Sequence, residues 1–209
     1  PDEARPQLEK ALANSKRIWV LPAAVDQADP KHFVMGWLNE RAYYVSSFKE
    51  LRLYVVAAPL EGAASAAPTV MPSPVRWDDQ IELQSARWVK AQAVPGEPLL
   101  LDLNWLLLRF PPSEARLSLR WVDRDGGEWY DAQIELGEFY APPSEWQPGY
   151  RLTSRVGIPI PVGVPPGEYA LRLNVVPLHP SGGGEYVTLA GATVLSCASN
   201  VPCPAPVEG

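Results

Sequence analysis

Val164-Pro165-Pro166-Gly167-Glu168-Tyr169-Ala170-Leu171-Arg172-Leu173-Asn174-Val175 decides how this chain folds. Two prolines and a glycine form a stiff turn. The residues after it alternate, which places Tyr169, Leu171, Leu173 and Val175 on one face of an extended strand. A face of four large apolar side chains needs an apolar cover.

Working outward, the same pattern recurs between turn signals. Candidate strands fall at about 80–88, 98–108, 115–122, 128–136, 151–160, 168–176 and 186–195. In the second, Leu99, Leu101, Leu103 and Trp105 point inward, with Asp102 and Asn104 outward. In the third, Leu117, Leu119 and Trp121 alternate with Arg116, Ser118 and Arg120. Asp125-Gly126-Gly127 supplies a tight hairpin turn, because glycine tolerates positive φ. This spacing predicts a mostly β fold, a seven-stranded antiparallel β-sandwich of the immunoglobulin or fibronectin kind over 78–196. The Cys…Trp…Cys spacing of antibody domains is absent. Each large inward side chain is worth about 1.5–3 kcal/mol on burial, before chain entropy takes most of it back.

The first 57 residues read differently, as a small α/β segment. Residues 5 to 15 carry Leu8, Ala11 and Leu12 at helical spacing, and Arg17–Leu21 reads as a strand stopped by Pro22. Asp29 and Pro30 form a helix start, followed by the stripe Phe33, Val34, Trp37 and Leu38. Glu50–Val56 alternates as a strand. Strand, helix, strand in this order suggests a βαβ-like unit, too small to be comfortable without a neighbour to dock on. Residues 58–77 are rich in alanine and proline and read as a linker, and 197–209 read as a tail.

Composition narrows the function classes. The net charge is −6, and the 18 basic residues are scattered, so no block of them tracks a phosphate backbone; nucleic acid is not an expected partner. No apolar, uncharged run reaches the length of a membrane span. The start, Pro1-Asp2-Glu3, has neither methionine nor signal peptide and reads as that of a fragment or processed product. Cys197 and Cys203 are too few for a disulfide framework. Five residues between them permit a bridge that pins the tail, or they remain thiols; a structural zinc site needs four ligands.

Recognisable catalytic groupings are scarce. His32 and His179 have no nucleophile in a familiar setting, and there is no G-x-S-x-G elbow, Walker loop or G-x-G-x-x-G. Asp123-Arg124-Asp125-Gly126-Gly127-Glu128 resembles the opening of a calcium loop, but the twelfth position is Ile134 rather than a bidentate glutamate. No metal or cofactor is expected. Asp102, Asp123, Asp131 and Glu135 make a glycosidase pair only if folding gathers two of them across a cleft. The aromatic run before and within residues 137–150 supplies the candidate ligand-binding rings, Trp129, Tyr130, Tyr140 and Trp146, against the plainer reading that they plug one end of the sandwich.

Trp146-Gln147-Pro148-Gly149, Ile158-Pro159-Ile160-Pro161 and Pro165–Arg172 resemble a β-sandwich near the C-terminus of large bacterial membrane proteins. Those proteins are similar to dolichyl-phosphate-mannose–protein mannosyltransferases. Arg17–Pro22, Asp29-Pro30, Trp37-Leu38 and Leu51–Tyr54 resemble the extracytoplasmic segment after their last membrane helices. The resemblance implies a location on the extracytoplasmic side of the cell membrane and an upstream membrane domain, another cell-surface protein or a glycan as partner. The catalytic acids of that family lie in an external loop near its first membrane helices, and no residue here matches that motif. The expectation is a non-catalytic accessory module that positions glycan or acceptor. The alternative is a structural or interaction subunit of a cell-surface assembly. An exposed aromatic groove would favour the first, a broad apolar patch the second.

Overall fold

The computed structural model describes residues 4–21, 33–49, 51–56, 74–110, 115–136, 146–180 and 185–196. Helix α1 (Ala4–Asn14) leads to β1 (Arg17–Val20), and α2 (Phe33–Asn39) leads to the hairpin β2 (Ala42–Phe48) and β3 (Leu51–Val56). Then come β4 (Val75–Trp77), β5 (Ile81–Lys90), β6 (Gln92–Ala93), β7 (Pro98–Leu107), β8 (Arg116–Asp123), β9 (Glu128–Glu135), β10 (Arg151–Pro159), β11 (Gly167–Val176) and β12 (Val187–Val194). The expected helix start at Asp29-Pro30, His32, most of the linker, Tyr140 and the Cys197/Cys203 tail lie outside the described residues.

The strands form two sheets, ordered β1-β3-β2-β10-β7-β5-β4 and β6-β12-β11-β8-β9. Their facing side chains make one core, in which Leu99, Leu101, Leu103 and Trp105 of the first sheet share a cluster with Leu117, Leu119, Trp121, Leu171, Leu173 and Val175 of the second. The fold is therefore mostly β, with two packed layers. Inward alternation holds along β11, where Tyr169, Leu171, Leu173 and Val175 are all buried while Glu168 and Arg172 are exposed. Asn174 is the exception. It is buried on the other phase, where its Oδ1 accepts the Trp77 indole N–H at 2.8 Å.

Short connections dictate the pairing of the first segment. The turn at Lys49 (φ 54°) is too short for a crossover, so β3 folds back antiparallel beside β2. β1 pairs with the far edge of β3, antiparallel again. β1 and β2 thus run parallel to each other with β3 between them. This corrects the βαβ expectation, whose two strands, 17–21 and 50–56, would run parallel: they are neighbours, but antiparallel, because β2 intervenes in the chain between α2 and β3.

The same segment continues the sandwich. β2 lies beside β10 as a parallel neighbour, with Tyr44 level with Val156. The fold is accordingly not purely antiparallel, since β6 also runs parallel to β12. β5 and β6 are one path that changes sheets: the Thr193 and Leu195 amides donate to the Ala91 and Ala93 carbonyls at 2.9 Å. On the inner side of β2 and β3, Tyr44 and Tyr54 meet edge to face at a ring distance of 5.8 Å. Met35, Trp37 and Leu38 of α2 pack with them, and Leu8 and Leu12 of α1 join from the side. Ile134 of β9 touches both this cluster and the main core, which links the two layers at that edge.

Candidate functional site

The described candidate rings, Trp129, Tyr130 and Trp146, do not form one exposed platform. Trp146 is 1% exposed and belongs to the main core. Tyr130 packs partly buried against that core, opposite Trp121. Burial, together with Tyr44 nearby, pushes its phenol up to about 12. Among the described candidate rings Trp129 is the exposed one, at 37%. It is the extra residue of a bulge, because Trp121 pairs with Tyr130 and Val122 with Glu128. The bulge turns its indole N–H onto Asp123 Oδ2 at 2.9 Å.

Asp123 is the keystone of that hairpin. Its Oδ1 accepts the Gly127 amide at 2.7 Å and the Asp125 amide at 2.9 Å. Gly126 adopts φ +86° to complete the turn. The Trp129 indole and then the Gly127 amide hold this carboxyl below the usual carboxylate range. The calcium-like stretch is thus a turn whose first carboxylate is saturated by protein donors. Among the described residues, no three His, Cys, Asp or Glu side chains are grouped so as to hold a metal ion.

The four carboxylates weighed as acid–base partners fall on different layers. Asp123, Asp131 and Glu135 belong to β8 and β9, whereas Asp102 sits on the outer face of β7 in the other sheet. Stacked sheets are about 10 Å apart, so Asp102 pairs with none of them across a shared cleft. Asp131 faces Arg120 instead, at 3.7 Å.

Asp102 anchors a network that sequence reasoning did not find. It is 4% exposed, although alternation sends it outward. Oδ1 accepts the Tyr43 hydroxyl at 2.9 Å, and Oδ2 meets the Arg87 guanidinium at 2.5 Å. Arg155 stands 3.8 Å from Oδ1, lies over the Tyr43 ring at 5.9 Å, and donates to the Glu40 carbonyl. Burial, then the Asp102 charge, drives the Tyr43 phenol far above its ordinary value. The hydrogen bond to Asp102 likewise raises Arg87. Beside this cluster, Thr153 donates to Asn104 Oδ1 at 2.8 Å, Asn104 donates to Ser85 at 2.9 Å, and Asn39 donates to the Thr153 carbonyl at 3.1 Å. These bonds run from α2 and β2 across β10 to β7 and β5. Their chemistry is cohesion: they fasten the first segment to the outer face of the sandwich. The one legible signal was a lone acid inside the leucine run 99–103.

A second feature lies further along the same outer face. Trp19 pairs with Leu53, and Phe48 with Leu51, so these four side chains share one surface of β1, β3 and β2. Trp19 is 54% exposed, Phe48 57% and Leu51 37%. Leu21, next in register toward Leu51, is exposed as well. No protein-family model matches the chain, and no curated protein matches it.

Proposed function

We propose that this chain is a non-catalytic accessory module on the extracytoplasmic side of a membrane-bound, glycosyltransferase-like protein, and that it works by contact. The membrane-protein setting rests on the resemblance of residues 146–149, 158–161 and 165–172. An immunoglobulin-like identity for the sandwich is supported by the order β10-β7-β5 facing β12-β11-β8-β9 and by the sheet change between β5 and β6. It is supported further by Tyr169, whose hydroxyl donates to the Pro165 carbonyl at 2.7 Å just as β11 begins, the arrangement of a tyrosine corner.

The observation that carries the contact reading is the outer face of β1, β3 and β2, where large apolar side chains gather in the open. The strongly bonded acids, Asp102 and Asp123, serve strand cohesion and a turn. Fold-level analogy supplies no activity by itself, so the site argument has to carry the conclusion. The test is an assay of the purified chain with a lipid-linked sugar donor, a peptide acceptor and simple glycosides. No turnover is expected; turnover abolished by Asp102→Asn or Asp131→Asn would overturn the reading.

The interaction-subunit alternative, without sugar chemistry, draws on a separate observation. Trp146 is buried and the Trp129 N–H is already engaged, so a ring-lined groove is not assembled from these residues. Glycan-array binding that disappears in Trp129→Ser would favour a glycan-positioning role; no binding would favour the alternative.

A further inference from the structure

We propose that the exposed face of β1, β3 and β2 docks onto an anionic lipid surface, with Trp19, Leu21, Phe48 and Leu51 entering the headgroup boundary. This rests on the contact-module reading and names the partner. Trp19, Leu53, Phe48 and Leu51 lie on one sheet face by register, with Ser46 beside Leu53, and Leu21 directly follows β1.

Area argues against a second copy as the occupant. An aromatic side chain carries roughly 150–250 Å², so half exposure leaves on the order of 100 Å² on each ring. With the two leucines the patch reaches roughly 300–400 Å², at the scale of a functional monomer patch. A stable dimer buries about 800 Å² per partner. A bilayer interface demands no matching surface, and it favours amphipathic rings beside cations.

Charge argues for the anionic surface. Lys49, at the tip of the β2–β3 turn, holds its ammonium 5.6 Å from the Phe48 ring centroid. Arg17 stands two residues before Trp19 on the same face; one of its N–H groups reaches the Gly96 carbonyl at 3.3 Å, and the side chain is otherwise at the surface. Glu97, the acid following Gly96, is engaged by Lys90 at 2.6 Å. Glu50, the acid in the turn itself, lies outside the described residues. Eight basic residues against seven acidic ones precede residue 58, and ten against seventeen follow it. An anionic surface therefore attracts the first segment and repels the remainder, which orients the chain with β1–β3 toward the lipid.

The experiment is flotation of the full chain with vesicles of pure phosphatidylcholine and with vesicles containing a third phosphatidylglycerol. Binding to the anionic vesicles is expected to be stronger by on the order of tenfold, since each cation at such a surface contributes about a fivefold gain. Trp19→Ser with Phe48→Ser should lower it at least about tenfold, and Lys49→Glu, a surface-turn change that leaves folding intact, should lower it by a similar factor. Trp129→Ser, on the other sheet, should leave it unchanged. Melting curves establish that each variant is folded. Equal binding to both vesicle types, no binding, or unaltered binding by a folded Lys49→Glu would overturn the proposal. So would self-association in sedimentation that the double variant abolishes, which would assign the face to a second copy. Failure here without sugar turnover leaves the contact-module reading standing; sugar turnover removes that reading while the vesicle result keeps its own meaning.

Discussion

Replacing Gly157 by alanine probes the seam between β2 and β10. A Cβ built at Gly157 would stand 2.6 Å from Val45 Cγ2, 3.4 Å from the Tyr44 carbonyl oxygen and 3.6 Å from Leu100 Cδ2. The second and third contacts are tolerable, but the first is not. Val45 is buried and branched at Cβ, so it escapes only by leaving its rotamer or by moving the strand. Overpacking of this kind costs about 1–3 kcal/mol. The loss of glycine freedom in the unfolded chain offsets about 0.4–1 kcal/mol of that. The net expectation is destabilisation by about 1–2 kcal/mol, or a fall in Tm of very roughly 2–8 °C for a chain of this size. Val45→Ala alone removes two methyl groups and costs about 1.5 kcal/mol. In the double variant the smaller side chain makes room for the new methyl, so the two costs should fall short of additivity by about 1 kcal/mol. Urea unfolding of the four proteins measures the cycle. A neutral or stabilising Gly157→Ala, or strict additivity with Val45→Ala, would refute the claim that β2 seats against β10 at this point.

Three further outcomes follow from the polar contacts. Tyr43→Phe leaves Asp102 its arginine partners but removes a hydrogen bond to a charged acceptor, so it should cost about 1.5–3 kcal/mol in thermal or urea unfolding. Hydrogen exchange should quicken first in β2 and β10. Because the Tyr43 and Tyr130 phenols are raised, they stay protonated while exposed tyrosines ionise; the stability they contribute is complete below the ordinary tyrosine range and is lost as pH rises above it. Tyr169 is raised by burial as well, so ultraviolet difference titration should show Tyr43 and Tyr130 among the late tyrosines, and the late amplitude should fall by two tyrosines in Tyr43→Phe/Tyr130→Phe. The Asp123 carboxyl is lowered, so its contribution is present at neutral pH and fades as pH falls below the ordinary carboxylate range. Protection of the Gly127 amide, measured as its exchange rate relative to the intrinsic rate at the same pH, should fall with acid in the parent chain, and Asp123→Asn should flatten that dependence.

The sandwich was legible because its strands carry their own instructions. Leu117-Ser118-Leu119-Arg120-Trp121 and Tyr169-Ala170-Leu171-Arg172-Leu173 alternate cleanly, and Gly and Pro mark their ends; each of the seven candidate strands overlaps an observed one within about two residues at either end. β4 and β6 escaped notice because three and two residues are too few for a period. The seam escaped for a different reason. Asp102 reads as an outward polar residue, and its burial depends on Tyr43, 59 positions earlier. No local pattern announces that β2 will run beside β10. Among the candidate rings, Trp129 and Tyr130 are sequence neighbours with nothing in the sequence to tell them apart. A bulge sends one toward Asp123 and leaves the other on the core side, which composition alone does not separate. Trp19 was visible as a strand residue, but the openness of its face depends on which side α1 and α2 cover.

The continuity of the first segment with the sandwich, through β2 beside β10 and Tyr43 on Asp102, supports everything else proposed for this chain. Backbone ¹⁵N relaxation tests it most directly. Amides of β1, β2 and β3 should report the same rotational correlation time as those of β7, β8 and β11, that of one body of 22.9 kDa. A distinctly shorter time confined to β1–β3 would mean a separately tumbling segment and would contradict the account.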